Sequence, residues 1–130
     1  NRKKKSLHSK MKVNFLNLKD FLVNDKIHIL YLDFKKINHI TEYNLTISFF
    51  YENFLLSKKN YNTKDKLKVT LNKKYLLKGN YKVIFQIFGL NKNKEIMIYE
   101  EFKHEIIIDK IEKKKNFNQV GIIRDIINKI

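Results

Sequence analysis

The chain has 130 residues, enough for one domain with a core and too few for a second of ordinary size. Hydrophobic residues make up 43% and aromatics 13%, which excludes a globally disordered polymer. Cysteine is absent, so disulfides, thiol nucleophiles and Cys-ligated metals are excluded. The formal charge of +15 invites an anionic partner. However, Lys, Asn and Ile dominate throughout and the lysines are spread along the chain instead of forming one stripe, so nucleic acid is not the expected partner.

The opening "NRKKKSLHSKMK" is basic and has no apolar segment behind it to make a signal peptide. Residues 1–10 read as a basic linker or disordered arm, and 11–130 as a single β-sandwich. The chain starts with Asn1, so it is expected to be the C-terminal part of something longer. From Met11 onward the apolar period is two. Met11, Val13 and Phe15 alternate with Lys12 and Asn14 in "MKVNFLNL". "KIHILYLDF" carries Ile27, Ile29 and Tyr31 on one face and His28, Leu30, Leu32 and Phe34 on the other, the pattern of a central strand.

In "EYNLTISFFYE", Tyr43, Leu45, Ile47, Phe49 and Tyr51 point inward, and Asn44, Thr46, Ser48 and Phe50 point outward. "KLKVTLN" turns Leu67, Val69 and Leu71 in and Lys66, Lys68 and Thr70 out. After Gly79, "NYKVIFQIF" sets Tyr81, Val83, Phe85 and Ile87 inward against Lys82, Ile84, Gln86 and Phe88. "EIMIYEEF" and "HEIIIDKI" read as two further strands. "LVND", "KKINHIT", "SKKNYNTKD", "LLKGN" and "GLNKNKE" read as turns, on their Asn, Asp and Gly content. Gly79 is expected to supply a positive-φ turn between two sheets, stapled to the core by Leu76 or Leu77 and by Tyr81. The tail "VGIIRDIINKI" fits a strand or a short helix equally well. Seven to eight closely spaced strands without crossover helices predict an all-β, immunoglobulin-like antiparallel sandwich.

Catalytic signals are missing. Gly79, Gly89 and Gly121 are too far apart for a phosphate-binding loop, and the four serines lack a nucleophile elbow. His8, His28, His39 and His104 have no metal-ligand spacing and read as satisfied or solvent-facing side chains. Glu100, Glu101 and Glu105 read as strand charges that balance lysines. No catalytic residue, metal or cofactor is expected, and the chain reads as a non-enzyme.

The outward set is more informative. Asn44, Thr46, Ser48, Phe50, Lys82, Gln86 and Phe88, joined by Met97 and Tyr99, make a sheet face of amides, hydroxyls and aromatic rings. Such a face suits sugars, whose apolar ring faces stack on aromatics while fixed amides read the hydroxyls. The candidate ligand-binding residues are therefore Asn44, Thr46, Ser48, Phe50, Lys82, Gln86, Phe88 and Tyr99. Two other readings compete with this one. The face could belong to a basic domain that contacts nucleic acid or acidic lipid, or to a structural, adhesin-type sandwich that pairs through an edge strand.

The order of features resembles the C-terminal polysaccharide-recognition domain of Wzt-type ABC-transporter ATPases. "KINHITEYNLTISFFYENFLLSKKNYNT" is similar to the central part of that domain, and "LKVTLNKKYLLKGNYKVIFQIF" to its next block, with Leu77, Gly79 and Tyr81 as the best-matching residues. "YEEFKHEIIID" and "VGIIRDI" resemble the segments that follow, so the likeness runs roughly from Met11 to Ile126. The chain departs from the pattern at Lys78, where the family has proline, and at "INKI", which replaces an aromatic-rich closing segment. The resemblance implies a cofactor-free module that binds the end of an O-antigen-type polysaccharide for export. It further implies transporter ATPase and membrane subunits as partners, a homodimer, and a cytoplasmic place peripheral to the inner membrane. Any ATPase domain would lie outside these residues.

Overall fold

The computed structural model describes residues 13–109. Among them the two-residue period becomes seven strands: β1 (Val13–Phe15), β2 (Ile29–Phe34), β3 (Glu42–Tyr51), β4 (Phe54–Thr63), β5 (Lys66–Thr70), β6 (Gly79–Leu90) and β7 (Ile96–Ile108). A short helix α1 (Leu18–Val23) follows β1, and a 3-10 turn at Lys73–Tyr75 follows β5. Every pairing is antiparallel. The strands form two sheets, β1-β2-β5 and β4-β3-β6-β7. The chain is therefore an all-β, immunoglobulin-like sandwich. Its fourth strand stays beside the third, whereas in constant-type immunoglobulin domains that strand joins the opposite sheet. No helix among the described residues is long and apolar enough to cross a membrane.

The inward sets named from alternation meet in one core. Leu30, Leu32 and Phe34 of β2 and Val69 of β5 pack against Tyr43, Leu45, Ile47 and Phe49 of β3 and Tyr81, Val83, Phe85 and Ile87 of β6. Aromatic contacts bridge the sheets: Phe34 stacks on Tyr43 at 4.6 Å, and Phe15 meets Phe85 and Phe102 edge-on at 5.3 and 5.2 Å. β2 is the centre strand of its sheet, as its two apolar faces predict.

Gly79 opens β6 where the chain leaves the three-stranded sheet for the four-stranded one. Its φ is +150°, and a Cβ there would sit 2.9 Å from the Tyr51 ring, so a residue without a side chain is needed. Leu76 and Tyr81 are buried beside it, and the Tyr81 hydroxyl donates to the Leu77 carbonyl at 2.6 Å. A tyrosine bonded to the backbone four residues upstream is the corner motif of immunoglobulin-like sandwiches.

Three expectations are corrected. "SKKNYNTKD" is mostly strand: β4 pairs with β3 from Tyr43↔Thr63 to Tyr51↔Phe54. It lacks alternation because it is an edge strand whose backbone bonds to β3 supply most of its order. "EIMIYEEF" and "HEIIIDKI" are one strand, β7, paired with β6 along its length. The residues at the junction still alternate, since Phe102 and His104 continue the inward row begun by Ile98. "LVND" is a turn only from Asn24, because Leu22 and Val23 belong to α1. The basic arm, Met11 and the tail with its strand-or-helix choice lie outside the described residues.

Candidate functional site

The four-stranded sheet carries the outward residues in rows set by its register. The first row across β4, β3, β6 and β7 is Asn62, Asn44, Phe88 and Tyr99, and the second is Asn60, Thr46, Gln86 and Glu101. The third is Lys58, Ser48, Ile84 and Lys103, and Phe50, Lys82 and Glu105 form the fourth. At about 4.8 Å between strands, each four-residue row is roughly 14 Å wide. All eight candidate residues lie on this face. Five of them (Asn44, Thr46, Gln86, Phe88 and Tyr99) fall in the first two rows.

Those two rows are cross-linked. The Asn62 amide donates to Asn44 Oδ1 at 2.5 Å and to Glu42 Oε2 at 3.1 Å, and the Thr46 hydroxyl donates to Asn60 Oδ1 at 2.8 Å. Gln86 Nε2 donates to the Tyr99 hydroxyl at 3.4 Å, which donates to Glu101 Oε1 at 2.6 Å. The Tyr99 ring lies 4.8 Å from that of Phe88, tilted by 38°. The donated phenol holds the Glu101 carboxyl below its ordinary range, and the carboxylate in turn raises the Tyr99 phenol above its own. Tyr99 is thus a neutral donor with a fixed direction.

The first row is also anchored at its end. Asn91 accepts from the backbone N–H groups of Asn93 and Glu95, which shapes the β6–β7 turn and sets Lys94 at φ 66°. From there Lys94 Nζ reaches Glu42 Oε1 at 2.8 Å. Lys94, followed by Asn62, holds the Glu42 carboxyl below its usual range.

The remaining candidates divide. Phe50 and Lys82 are cross-strand neighbours two rows from the network. Ser48 is a correction: it faces outward in register but is only 8% exposed, beneath its larger neighbours Lys58, Ile84, Thr46 and Phe50. Its hydroxyl is removed from any ligand on this face. Met97 is exposed, as expected.

Asn60, Asn62, Glu42, Lys94 and Glu101 were not among the candidates. The Asn and Asp content of "SKKNYNTKD" predicts a turn at the first two. Their pairing with Thr46 and Asn44 emerges only once β4 is placed. Of the histidines, His28 accepts the backbone N–H of Lys73 at 3.0 Å. Burial holds His104, near the rings of Phe15 and Phe85, below the ordinary histidine range.

Fold and face together define an immunoglobulin-like sandwich with a polar, aromatic-bearing sheet surface. No protein-family model, curated protein or solved structure matches the chain.

Proposed function

We propose that the chain is a non-catalytic carbohydrate-binding module and that the first two rows of the four-stranded sheet hold the glycan. The observation that carries this reading is the cross-linked set Asn62–Asn44, Asn60–Thr46 and Gln86–Tyr99–Glu101 beside the Phe88–Tyr99 ring pair. Side chains already bonded to one another lose little freedom on binding a sugar, and their amides, hydroxyls and carboxylate offer both donors and acceptors to its hydroxyls. Two tilted rings give a pyranose an apolar face to rest on. The sequence resemblance to exporter recognition domains supports an O-antigen-type polysaccharide end as the ligand, with the transporter ATPase and membrane subunits as partners. In that setting the module acts as a dimer at the inner face of the membrane.

The test is a titration of a polysaccharide panel by calorimetry, with Gln86→Ala and Phe88→Ala. Both variants should keep the wild-type melting temperature to within a few degrees, since both residues lie outside the core. Each should weaken binding by roughly five- to thirty-fold, the effect of about 1–2 kcal/mol. Unchanged affinity in both would remove this face from consideration.

A second reading has its own observation: Lys58, Lys82 and Lys103 share the lower half of the same face. A basic surface for nucleic acid or acidic lipid would lose affinity linearly in log–log salt. Neutral-glycan binding would barely respond.

A further inference from the structure

At the end of the sandwich nearest Glu42, the β2–β3 loop (35–41) and the β4–β5 turn (64–65) enclose a cavity of about 520 Å3. That volume falls in the range of about 300–1,000 Å3 usual for small-molecule sites. The polar groups on its wall are Lys36, Asn38, His39, Thr41, Lys64 and Asp65. We propose that this cavity takes the acidic group, carboxylate or phosphate, of a charged sugar in a glycan that continues onto the sheet face. The inference rests on the sheet-face reading above and adds the substrate class.

The walls are fixed from several directions. The Tyr43 hydroxyl donates to the Lys35 carbonyl at 2.8 Å, Thr41 N–H donates to the Leu90 carbonyl at 2.8 Å, and Phe34 N–H donates to the Asp65 carbonyl at 2.6 Å. Between these anchors, Ile40 N–H donates to the Ile37 carbonyl at 3.1 Å and closes a turn with His39 at φ 75°. Glycine would occupy that turn position without strain, so the imidazole is carried there at a cost in backbone energy. A non-glycine residue held at such an angle on a cavity wall points to a use for its side chain.

The charge balance selects the ligand. Lys36, Lys64 and His39 line the cavity with Asp65 as its single carboxylate, so the cavity favours one anionic group. Asp65 disfavours a polyanion such as nucleic acid, yet it can accept hydrogen bonds from sugar hydroxyls. The cavity also joins the sheet face. Lys64 lies close enough to Glu42 to help hold its carboxyl down, and Glu42 is bonded to Asn62, which is bonded to Asn44. A glycan held in the cavity would therefore continue past Glu42 and Asn62 to Asn44, in the same row as Phe88 and Tyr99, without leaving polar contacts.

The test is an NMR titration of the full chain with sodium glucuronate, glucose 1-phosphate and neutral methyl glucoside, and then with a panel of neutral oligosaccharides. The acidic probes should shift Lys36, Asn38, His39 and Lys64, and the one that does so identifies carboxylate or phosphate as the bound group. Methyl glucoside should leave these residues unmoved. Affinity for the better acid should fall at least about tenfold in Lys36→Ala/Lys64→Ala. His39→Gly should weaken it too while melting no lower than wild type, because glycine relieves the turn. No shift at these residues with either acid overturns the proposal, as does an equal response to methyl glucoside. Neutral oligosaccharides that shift Thr46, Gln86 and Phe88 while acids leave the cavity silent would sink this inference alone. Acid binding in the cavity with a silent sheet face would sink the sheet-face reading and leave the cavity as an anion site.

Discussion

Lys73 has no solvent-exposed surface, and its ammonium group donates to the carbonyls of Phe21 and Asn24 at the end of α1, with the Phe21 ring 4.4 Å away. The C-terminal end of a helix favours a cation, but burial outweighs it and lowers the Lys73 pKa from 10.5 to about 8. Between those two values the unfolded chain binds a proton that the folded chain does not, so stability rises with pH, by about 1.4 kcal/mol per unit at most. Denaturant midpoints should therefore climb from pH 8 to about 9.5, below the range where the tyrosines titrate. Lys73→Met should flatten the climb, and an identical slope in the variant would contradict this account. Tyr81 is the second residue with a defined job. Tyr81→Phe removes the bond to Leu77 and should cost about 1–2 kcal/mol with no change in fold, read from urea unfolding. Gly79 and Tyr81 were legible in the sequence because backbone geometry restricts which residues a crossover can use. The burial of Lys73 was not legible, because a lysine in "NKKY" looks like any surface lysine until α1 covers it.

At the scale of elements, alternation marked β2, β3, β5 and β6 because each has one face against the core. It failed where a strand's order comes from its neighbour. β4 takes its order from β3, and α1 begins where β1 stops for a reason held in one side chain. Leu16 N–H still donates to the Tyr31 carbonyl at 2.9 Å, but at Asn17 the side chain takes over. Its amide donates to the Ile29 carbonyl at 2.8 Å, and its carbonyl accepts from Tyr31 N–H at 3.0 Å. Asn17 thus completes the ladder to β2 while its own backbone turns into the helix. Asn17→Ala should cost about 1–3 kcal/mol and raise amide exchange at Tyr31 well above its wild-type rate. Unaltered exchange there would mean that the β1–β2 ladder holds without this side chain.

Across the whole molecule, the sandwich turns one four-stranded sheet face into two unlike halves. Amides, Thr46, Glu101 and the Phe88–Tyr99 ring pair fill the two rows near the β6–β7 turn, and Lys58, Lys82 and Lys103 stand in the rows beyond them beside Ser48, Ile84, Phe50 and Glu105. The sequence separated inward from outward residues correctly along β3 and β6, since that needs only a period of two. It could not rank the outward ones, because which of them become neighbours depends on strand order and register. Hence Phe50 and Lys82 stand apart, Ser48 is covered, and Asn60 and Asn62 join the network. The same division lets one experiment separate the sugar-binding reading from the basic-surface reading. Side-chain and amide shifts should be followed during titration with the neutral panel glycan that binds best, at low and at high salt. Sugar binding on the first two rows predicts shifts at Asn44, Thr46, Gln86 and Tyr99, with an affinity for neutral glycan that changes less than about twofold with salt. Shifts centred on Lys58, Lys82 and Lys103, with affinity falling steeply as salt rises, would contradict it.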